Sequence, residues 1–198
     1  RVGLPGSEMM RLLVWAGRGR RLGPEAETRL FAAWRDDQVG AVILPAVNQG
    51  TWVRCDRFAD STRAYQGSLG QVPEGLINAM QRVTIGDLKP DLTIILDIPV
   101  EIGMKRAAAR RGSGAPDRFE AESIKFHQDL RDAYRQIAAG DPQRCVLIDA
   151  NADTETVAAR VWTALRDHMF TAPSPAGTAG WGARAIRAGR PRRARHRR

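Results

Sequence analysis

A run of seven residues with a single charge, LTIILDI at 92–98, constrains the fold of this chain more than any other feature. A strand with one face in water alternates apolar and polar residues, whereas a nearly continuous apolar run is typical of a strand covered on both faces. Pro99 cannot continue the strand and opens the next helix. A second apolar run at 145–148 has the same character. The two runs predict a buried parallel sheet.

Helical patterns alternate with these strands along the chain. Pro24 suits a first helical position, and we expect one long helix from it to Gly50, bent at Pro45. A third strand is predicted at 51–55, and a short helix is predicted to begin at Ser7. Further helices are predicted at 73–85, 100–110, 117–139 and 154–169. The alternation indicates an α/β fold with helices on both faces of the sheet.

Charge is unevenly distributed, and this bears on the class of protein. The formal net charge is +9, but residues 171–198 contain eight arginines and no acidic residue, so the rest of the chain is close to neutral. This excludes a uniformly basic nucleic-acid-binding domain. The segment also has few apolar residues, so burial of its side chains could not compensate for the conformational entropy that it would lose on folding. We therefore expect one domain at 1–170 and a disordered basic tail at 171–198.

The cysteines and apolar runs bear on the compartment. Cys55 and Cys145 both lie in or at the end of apolar runs, which favours free thiols in a reducing compartment. The three histidines lack metal-ligand spacing, and no run approaches the roughly 18 apolar residues of a membrane helix. The first residues also lack the plan of a signal peptide. We expect a cytoplasmic protein that does not enter the membrane.

The pair Asp56-Arg57 follows the predicted strand 51–55 and is the strongest functional signal. Ligands of parallel sheets bind at the carboxyl ends of the strands, where this pair would lie. The carboxylate of Asp56 can orient metal-bound water, and the guanidinium of Arg57 can hold phosphate oxygens with two hydrogen bonds. The pair therefore predicts phosphoryl transfer, although an isolated Asp-Arg pair is more often a surface ion pair.

Five segments, in order, resemble bacterial thymidylate kinase. They are PEAETRLFAAWRDDQV at 24–39, the motif at 52–67, KPDLTIILDIP at 89–99, DRFE at 117–120 and the segment 145–150. The resemblance implies a P-loop-type nucleoside monophosphate kinase fold. It also implies transfer of the γ-phosphoryl group of ATP to dTMP with Mg²⁺, yielding dTDP, and a homodimer.

The resemblance assigns acceptor-site roles to several residues. Phe31 and Arg35, one helical turn apart, would stack on the thymine ring and bind its carbonyl oxygen, although Phe31 could also be a core residue. Tyr65 would exclude a ribose 2′ hydroxyl, or simply pack on the motif loop. The remaining assignments are Thr62 and Gln66 near the base, Ser61 as a support, Arg57 on the acceptor phosphate and Asp56 on metal-bound water.

The glycine-rich segment at about 111–118 resembles the mobile lid of the family. Arg118 would be the arginine that reaches the transferring phosphoryl group when the lid closes. Arg106, Arg110 and Arg111 flank the lid, and a solvated helix face is the alternative role for these three.

The sequence departs from the family where donor phosphates would bind. No G-x-x-x-x-G-K-[ST] motif occurs in the 198 residues, and Arg1 is a weak match to an arginine that touches the acceptor phosphate. We expect that a first βα unit and a second strand are missing, with one lost strand belonging between 51–55 and 92–98. The isolated chain would then have little kinase activity. Two alternatives are a deoxynucleoside kinase and nucleic-acid binding through the tail, which should weaken steeply with salt.

Overall fold

The computed structural model describes residues 22–114, 116 and 119–171. Its sheet has two strands, β1 (Thr93–Asp97) and β2 (Cys145–Asp149), which pair in parallel with Ile95 opposite Leu147. Both apolar runs therefore form strands, and the parallel pairing predicted from them is confirmed. Parallel neighbouring strands need a crossover connection, and here it contains two helices.

The long helix predicted after Pro24 is present, but it changes from α-helical to π-helical before Pro45. It comprises α1 (Pro24–Gln38), a π-helical segment (Val39–Ile43) and α2 (Leu44–Asn48), and Gly50 follows with a φ of 70°. A proline inside a helix removes one backbone hydrogen bond and crowds the carbonyl four residues earlier. The π-helical segment lies directly before Pro45 and loosens the backbone there, which is a recognised way for a helix to absorb an irregularity.

The strand predicted at 51–55 is wrong. These residues have no regular secondary structure, and Trp52 and Arg54 are exposed. A strand needs a hydrogen-bonded neighbour, and among the described residues β1 pairs only with β2. The motif that follows is helical rather than a loop: α3 (Ala59–Thr62) continues as a second π-helical segment (Arg63–Leu69).

The remaining helices agree with the predictions except at one boundary. They are α4 (Glu74–Thr84), α5 (Val100–Arg111), α6 (Ile124–Gly140) and α7 (Thr154–Arg166), the last continuing as a third π-helical segment (Asp167–Thr171). Helix α6 begins later than the predicted residue 117, because Ser123 caps it: the Ser123 hydroxyl accepts a hydrogen bond from the Phe126 amide.

The strands are less buried than their apolar character predicted. Ile95 is buried against Ala138 and Cys145, with Tyr134 and Ile137 packed beside this cluster. Leu96, however, is 54% exposed, so burial of β1 on both faces is wrong for the described residues. The edge of β1 that faces away from β2 lines a cavity instead.

Some predicted features lie outside the described residues. These are the helix beginning at Ser7, Arg1, Arg118 and all of the tail beyond residue 171. The two cysteines carry free thiols, Cys145 buried and Cys55 half-buried. Within the described ranges, every helix is too short or too polar to span a bilayer.

Candidate functional site

A cavity of about 790 Å³ lies between the segment after α2 and the open edge of β1. Helices α5 and α6 complete its walls, and its size is in the range of small-molecule sites. Apolar residues of β1 and α5 form part of the cavity wall. The polar or charged residues that line the cavity include Asp56, Arg57, Asp60, Ser61, Tyr65, Arg111, His127, Arg131 and Tyr134.

Arg57 enters this cavity from a strained backbone conformation. Its φ is 66°, in the left-handed region that non-glycine residues seldom adopt, and its carbonyl accepts a hydrogen bond from the Cys55 thiol at 3.1 Å. Its guanidinium carbon lies 5.2 Å from the centre of the Tyr65 ring. Burial acts to lower the pKa of Arg57, but its neighbours Tyr65, Tyr134 and Asp56 together raise it above its ordinary value. The cavity therefore holds a fixed positive charge.

Arg35 and Thr62 meet although 27 residues separate them in the sequence. The Arg35 guanidinium donates a 2.8 Å hydrogen bond to the Thr62 hydroxyl and a longer one, 3.4 Å, to the Phe58 carbonyl. It also lies 5.6 Å from the centre of the Phe58 ring. Both hydrogen-bonded side chains are buried, and burial lowers the pKa of Arg35. Because a guanidinium has five donors, several remain for a ligand.

Gln66, on the π-helical segment that follows α3, is tied to α1, the helix that carries Phe31. Gln66 is buried and donates a 3.3 Å hydrogen bond to the Glu27 carboxylate, so its amide is held by α1. Phe31 is half-buried one turn before Arg35 on α1. The structure thus brings Arg35, Thr62 and Gln66 into one layer, while the cavity itself is lined by Arg57, Ser61 and Tyr65.

Two contacts tie the motif helix α3 to the far side of the fold. The Ser61 hydroxyl shares a 2.9 Å hydrogen bond with the Tyr134 hydroxyl on α6. The neighbouring Asp60 carboxylate accepts two hydrogen bonds, of 2.7 and 3.1 Å, from the Arg144 guanidinium. Arg144 also donates to the Thr93 hydroxyl at the start of β1, and its pKa is raised chiefly by the bond to Asp60. Helix α3 is therefore anchored from two directions.

A second charged cluster stands at the carboxyl end of β1. Asp97 accepts hydrogen bonds of 2.6 and 2.9 Å from Arg131, and Arg135 lies 3.2 Å from the same carboxylate. The hydrogen bond from Arg131 holds the pKa of Asp97 below its usual value. This carboxylate is already neutralised by guanidinium groups, so it is poorly suited to hold a metal ion.

The arginines predicted near the lid have separate environments. Arg106 donates to the carbonyls of Ala150 and Ala152 at 3.0 and 2.9 Å, which joins α5 to the loop after β2. Arg110 is exposed, and Arg111 forms an ion pair with Glu120. Helix α5 therefore uses Arg106 for packing, while Arg111 alone of these three lines the cavity.

Sequence reasoning missed the contribution of α6 to this site. His127, Leu130, Arg131 and Tyr134 all line the cavity and recur at positions i, i+3, i+4 and i+7. That spacing places them on one helical face, so the signal was present in the sequence. Polar residues on an otherwise inward-facing stripe could have identified the face as a site wall.

Few carboxylates in the described residues are placed to hold Mg²⁺. Within the part of the chain that the structure describes, no group of three or more His, Cys, Asp or Glu residues could hold a metal ion. Asp60 and Asp97 are engaged by arginines, whereas Asp56 is exposed at the cavity and forms no ion pair among the described residues. Mg²⁺ in nucleotide sites is commonly held by one or two carboxylates, phosphates and waters. A lone Asp56 fits such a water-mediated role.

Known proteins resemble this chain over most of its length. The family model for thymidylate kinase matches residues 5–161. A thymidylate kinase of Bradyrhizobium diazoefficiens is 73% identical over 172 residues, covering 87% of this chain and 75% of that protein. One from Nitrobacter hamburgensis is 71% identical with the same coverage. The crystal structure of thymidylate kinase from Ehrlichia chaffeensis superimposes with a TM-score of 0.61 and 29% identity, covering 80% of this chain and 73% of that chain.

Proposed function

Because this chain belongs to the thymidylate kinase family of nucleoside monophosphate kinases, we propose that it binds dTMP between α1 and the motif helix and phosphorylates it to dTDP with ATP and Mg²⁺. The fold class predicted from the sequence agrees with the solved relative and with the parallel sheet. The roles given below to individual residues are part of the proposal.

The observation that carries the proposal is the 2.8 Å hydrogen bond between Arg35 and Thr62. Two polar side chains from distant segments meet in a buried layer, next to a cavity that contains Arg57. A thymine carbonyl can accept a hydrogen bond from Arg35, and Thr62 can exchange its bond to Arg35 for one to the base. Phe31, on the same helix, supplies an aromatic plane for the ring, and Gln66 stays oriented by Glu27.

The phosphate end of the nucleotide lies at Arg57 in this proposal. A guanidinium can hold two phosphate oxygens at once, and Arg57 is kept charged and fixed by the Tyr65 ring. Ser61 supports this end, and Tyr65 borders the sugar. When bound, ATP supplies the phosphoryl group and Mg²⁺ neutralises negative charge on the phosphate oxygens. Asp56 would orient the metal-bound water.

Donor phosphates need further groups. The 198 residues contain no G-x-x-x-x-G-K-[ST] motif, and we propose that Arg118 in the lid contributes a positive charge to the transferring group. A polypeptide of these residues alone is then expected to bind dTMP but to form dTDP slowly. Binding and turnover are therefore separate measurements.

Calorimetric titration of the 198-residue protein with dTMP tests the proposal. Arg35→Gln should weaken dTMP binding at least tenfold, because a buried charged donor is lost. Arg29→Gln is the matched control, since Arg29 lies on the same helix in an exposed pair with Glu25 and should leave binding unchanged. Failure of the unaltered protein to bind dTMP, or equal effects of the two substitutions, would contradict the proposed site.

Thymidine in place of dTMP separates this function from that of a deoxynucleoside kinase. If Arg57 holds the acceptor phosphate, dTMP should bind at least tenfold more tightly than thymidine. Tighter binding of thymidine would favour the deoxynucleoside kinase alternative.

We also propose a cytoplasmic homodimer, with the helix 24–48 as its contact. Support for the dimer comes from the family resemblance and from the exposed apolar side chain of Val47 at the end of that helix. Light scattering on the purified protein measures the oligomeric state.

Residues 171–198 are proposed to bind nucleic acid at most weakly, and deleting them should abolish any such binding without altering the affinity for dTMP.

A further inference from the structure

The proposed function gives Ser61 a supporting role at the phosphate end but gives no role to Tyr134, its hydrogen-bond partner. Their hydroxyl oxygens lie 2.9 Å apart, joining residues 73 positions apart in the sequence, and both side chains line the cavity. Tyr134 is half-buried on α6, and burial raises the pKa of its hydroxyl. The phenol is therefore protonated and neutral near pH 7. A neutral hydroxyl can both donate and accept a hydrogen bond.

Tyr134 also faces the ring that supports Arg57. The centres of the Tyr65 and Tyr134 rings lie 6.4 Å apart at an angle of 78°, an edge-to-face arrangement that aromatic pairs favour. The Arg57 guanidinium lies over the other partner, Tyr65, at 5.2 Å. Tyr134 thus reaches the vicinity of Arg57 by two routes: its ring packs against Tyr65, and its hydroxyl holds Ser61 on the helix that follows Arg57.

We infer that the Tyr134 hydroxyl is a positioning group for Arg57, keeping its guanidinium aimed at the acceptor phosphate; this inference rests on the proposed function. Arg57 needs such support because its backbone is strained and its side chain is long. The Asp60–Arg144 pair anchors α3 from the sheet, and the Ser61–Tyr134 hydrogen bond is its second anchor, supplied by α6. Without this second anchor, the turn that carries Arg57 can relax toward ordinary dihedral angles.

Tyr134→Phe tests the inference because it removes one oxygen and leaves the ring packing against Tyr65. The dissociation constants of dTMP and thymidine are measured by titration of the full chain. We expect dTMP to bind about three- to tenfold more weakly, the usual effect of losing one hydrogen bond, and thymidine to bind within about twofold of its original affinity. Thymidine has no phosphate, so a purely structural role of the hydroxyl would weaken both ligands equally. Equal losses, or no loss of dTMP affinity, would overturn the inference.

A double-mutant cycle with Ser61→Ala identifies the route. If the hydroxyl acts through Ser61, the double variant should lose no more dTMP affinity than the weaker-binding single variant. Additive losses would show that the two hydroxyls act separately and would overturn this route. Thr84→Val is the control, because it removes a partly buried hydroxyl on α4 that bonds only locally, to the Met80 carbonyl.

The outcomes also separate this inference from the proposed function. If the unaltered protein binds no dTMP, the proposed function fails and the assignment of Tyr134 fails with it. If the protein binds dTMP and responds to Arg35→Gln but not to Tyr134→Phe, the function stands and only the role of Tyr134 is overturned.

Discussion

Arg144 holds Asp60 through both terminal nitrogens of its guanidinium, at 2.7 and 3.1 Å, across 84 positions of sequence. Each side chain is about 15% exposed. The same guanidinium also donates hydrogen bonds to the Asp141 carboxylate and to the Thr93 hydroxyl. One residue at the start of β2 thereby connects the motif helix α3 with both strands of the sheet. A paired, largely buried charge of this kind is costly to break from one side.

Replacing Arg144 should consequently lower the free energy of unfolding. We expect Arg144→Met to cost about 3 kcal/mol, because the Asp60 carboxylate would stay partly buried without its partner. Arg160→Met is the matched control: Arg160 pairs with Asp149 at the other end of β2, but both side chains are well exposed, so the loss should be below about 1 kcal/mol. Urea unfolding monitored by circular dichroism measures both, and similar losses would contradict a special role for Arg144.

Glycine at position 57 should separate stability from binding. The φ of 66° suits glycine, so Arg57→Gly relieves strain while making the unfolded chain more flexible. These effects oppose each other, and the free energy of unfolding should change by less than about 1 kcal/mol. Affinity for dTMP should nevertheless fall at least tenfold, because the guanidinium is gone. A large loss of stability would show that the Arg57 side chain supports the fold itself.

The ion pairs of Asp97 should contribute to the fall in the free energy of unfolding at acid pH. Hydrogen bonds from Arg131 lower the pKa of Asp97 in the folded state, so the unfolded state binds a proton more readily. The stabilisation is complete above the unfolded pKa of about 4 and is lost as the pH falls through the lower folded value. Asp97→Asn should thus flatten the decline in stability below about pH 4, as measured by urea unfolding at several pH values.

Asp129→Asn provides the comparison for this pH series. Asp129 pairs with Lys125 on the exposed face of α6, where a single ion pair contributes little. The variant should keep the acid decline of the unaltered protein. If both variants flatten the decline alike, the effect arises from overall charge and not from the contact between Asp97 and Arg131.

Gly70 should tolerate no side chain. A Cβ at this position would lie 2.6 Å from the Gln66 carbonyl oxygen and 2.9 Å from the Cβ of Pro24 at the start of α1. Gly70→Ala should cost about 1–3 kcal/mol, because backbone atoms must move apart. Gly75→Ala, on α4 with open space around its Cβ position, should leave stability unchanged or raise it slightly. Thermal unfolding compares the two, and equal melting temperatures would contradict the close approach at Gly70.

Local patterns predicted much of the fold. The spacing of apolar residues located the helix after Pro24 and helix α4, and the apolar runs located β1 and β2, because these signals depend only on neighbours in the chain. The segment 51–55 has the composition of a strand but does not form one. A strand is defined by its hydrogen-bonded partner, and composition does not reveal whether a partner is adjacent.

The sequence by itself determined the family, most of the helices, the parallel pair of strands and the candidate motif Asp56-Arg57, because each depends on residues close together in the chain or on their order. Only the tertiary structure decided that Arg35 contacts Thr62, that Arg144 holds Asp60 and that Tyr134 contacts Ser61. These contacts join segments separated by 27 to 84 positions. Such distances are closed only when helices pack on the sheet, so no local pattern encodes them.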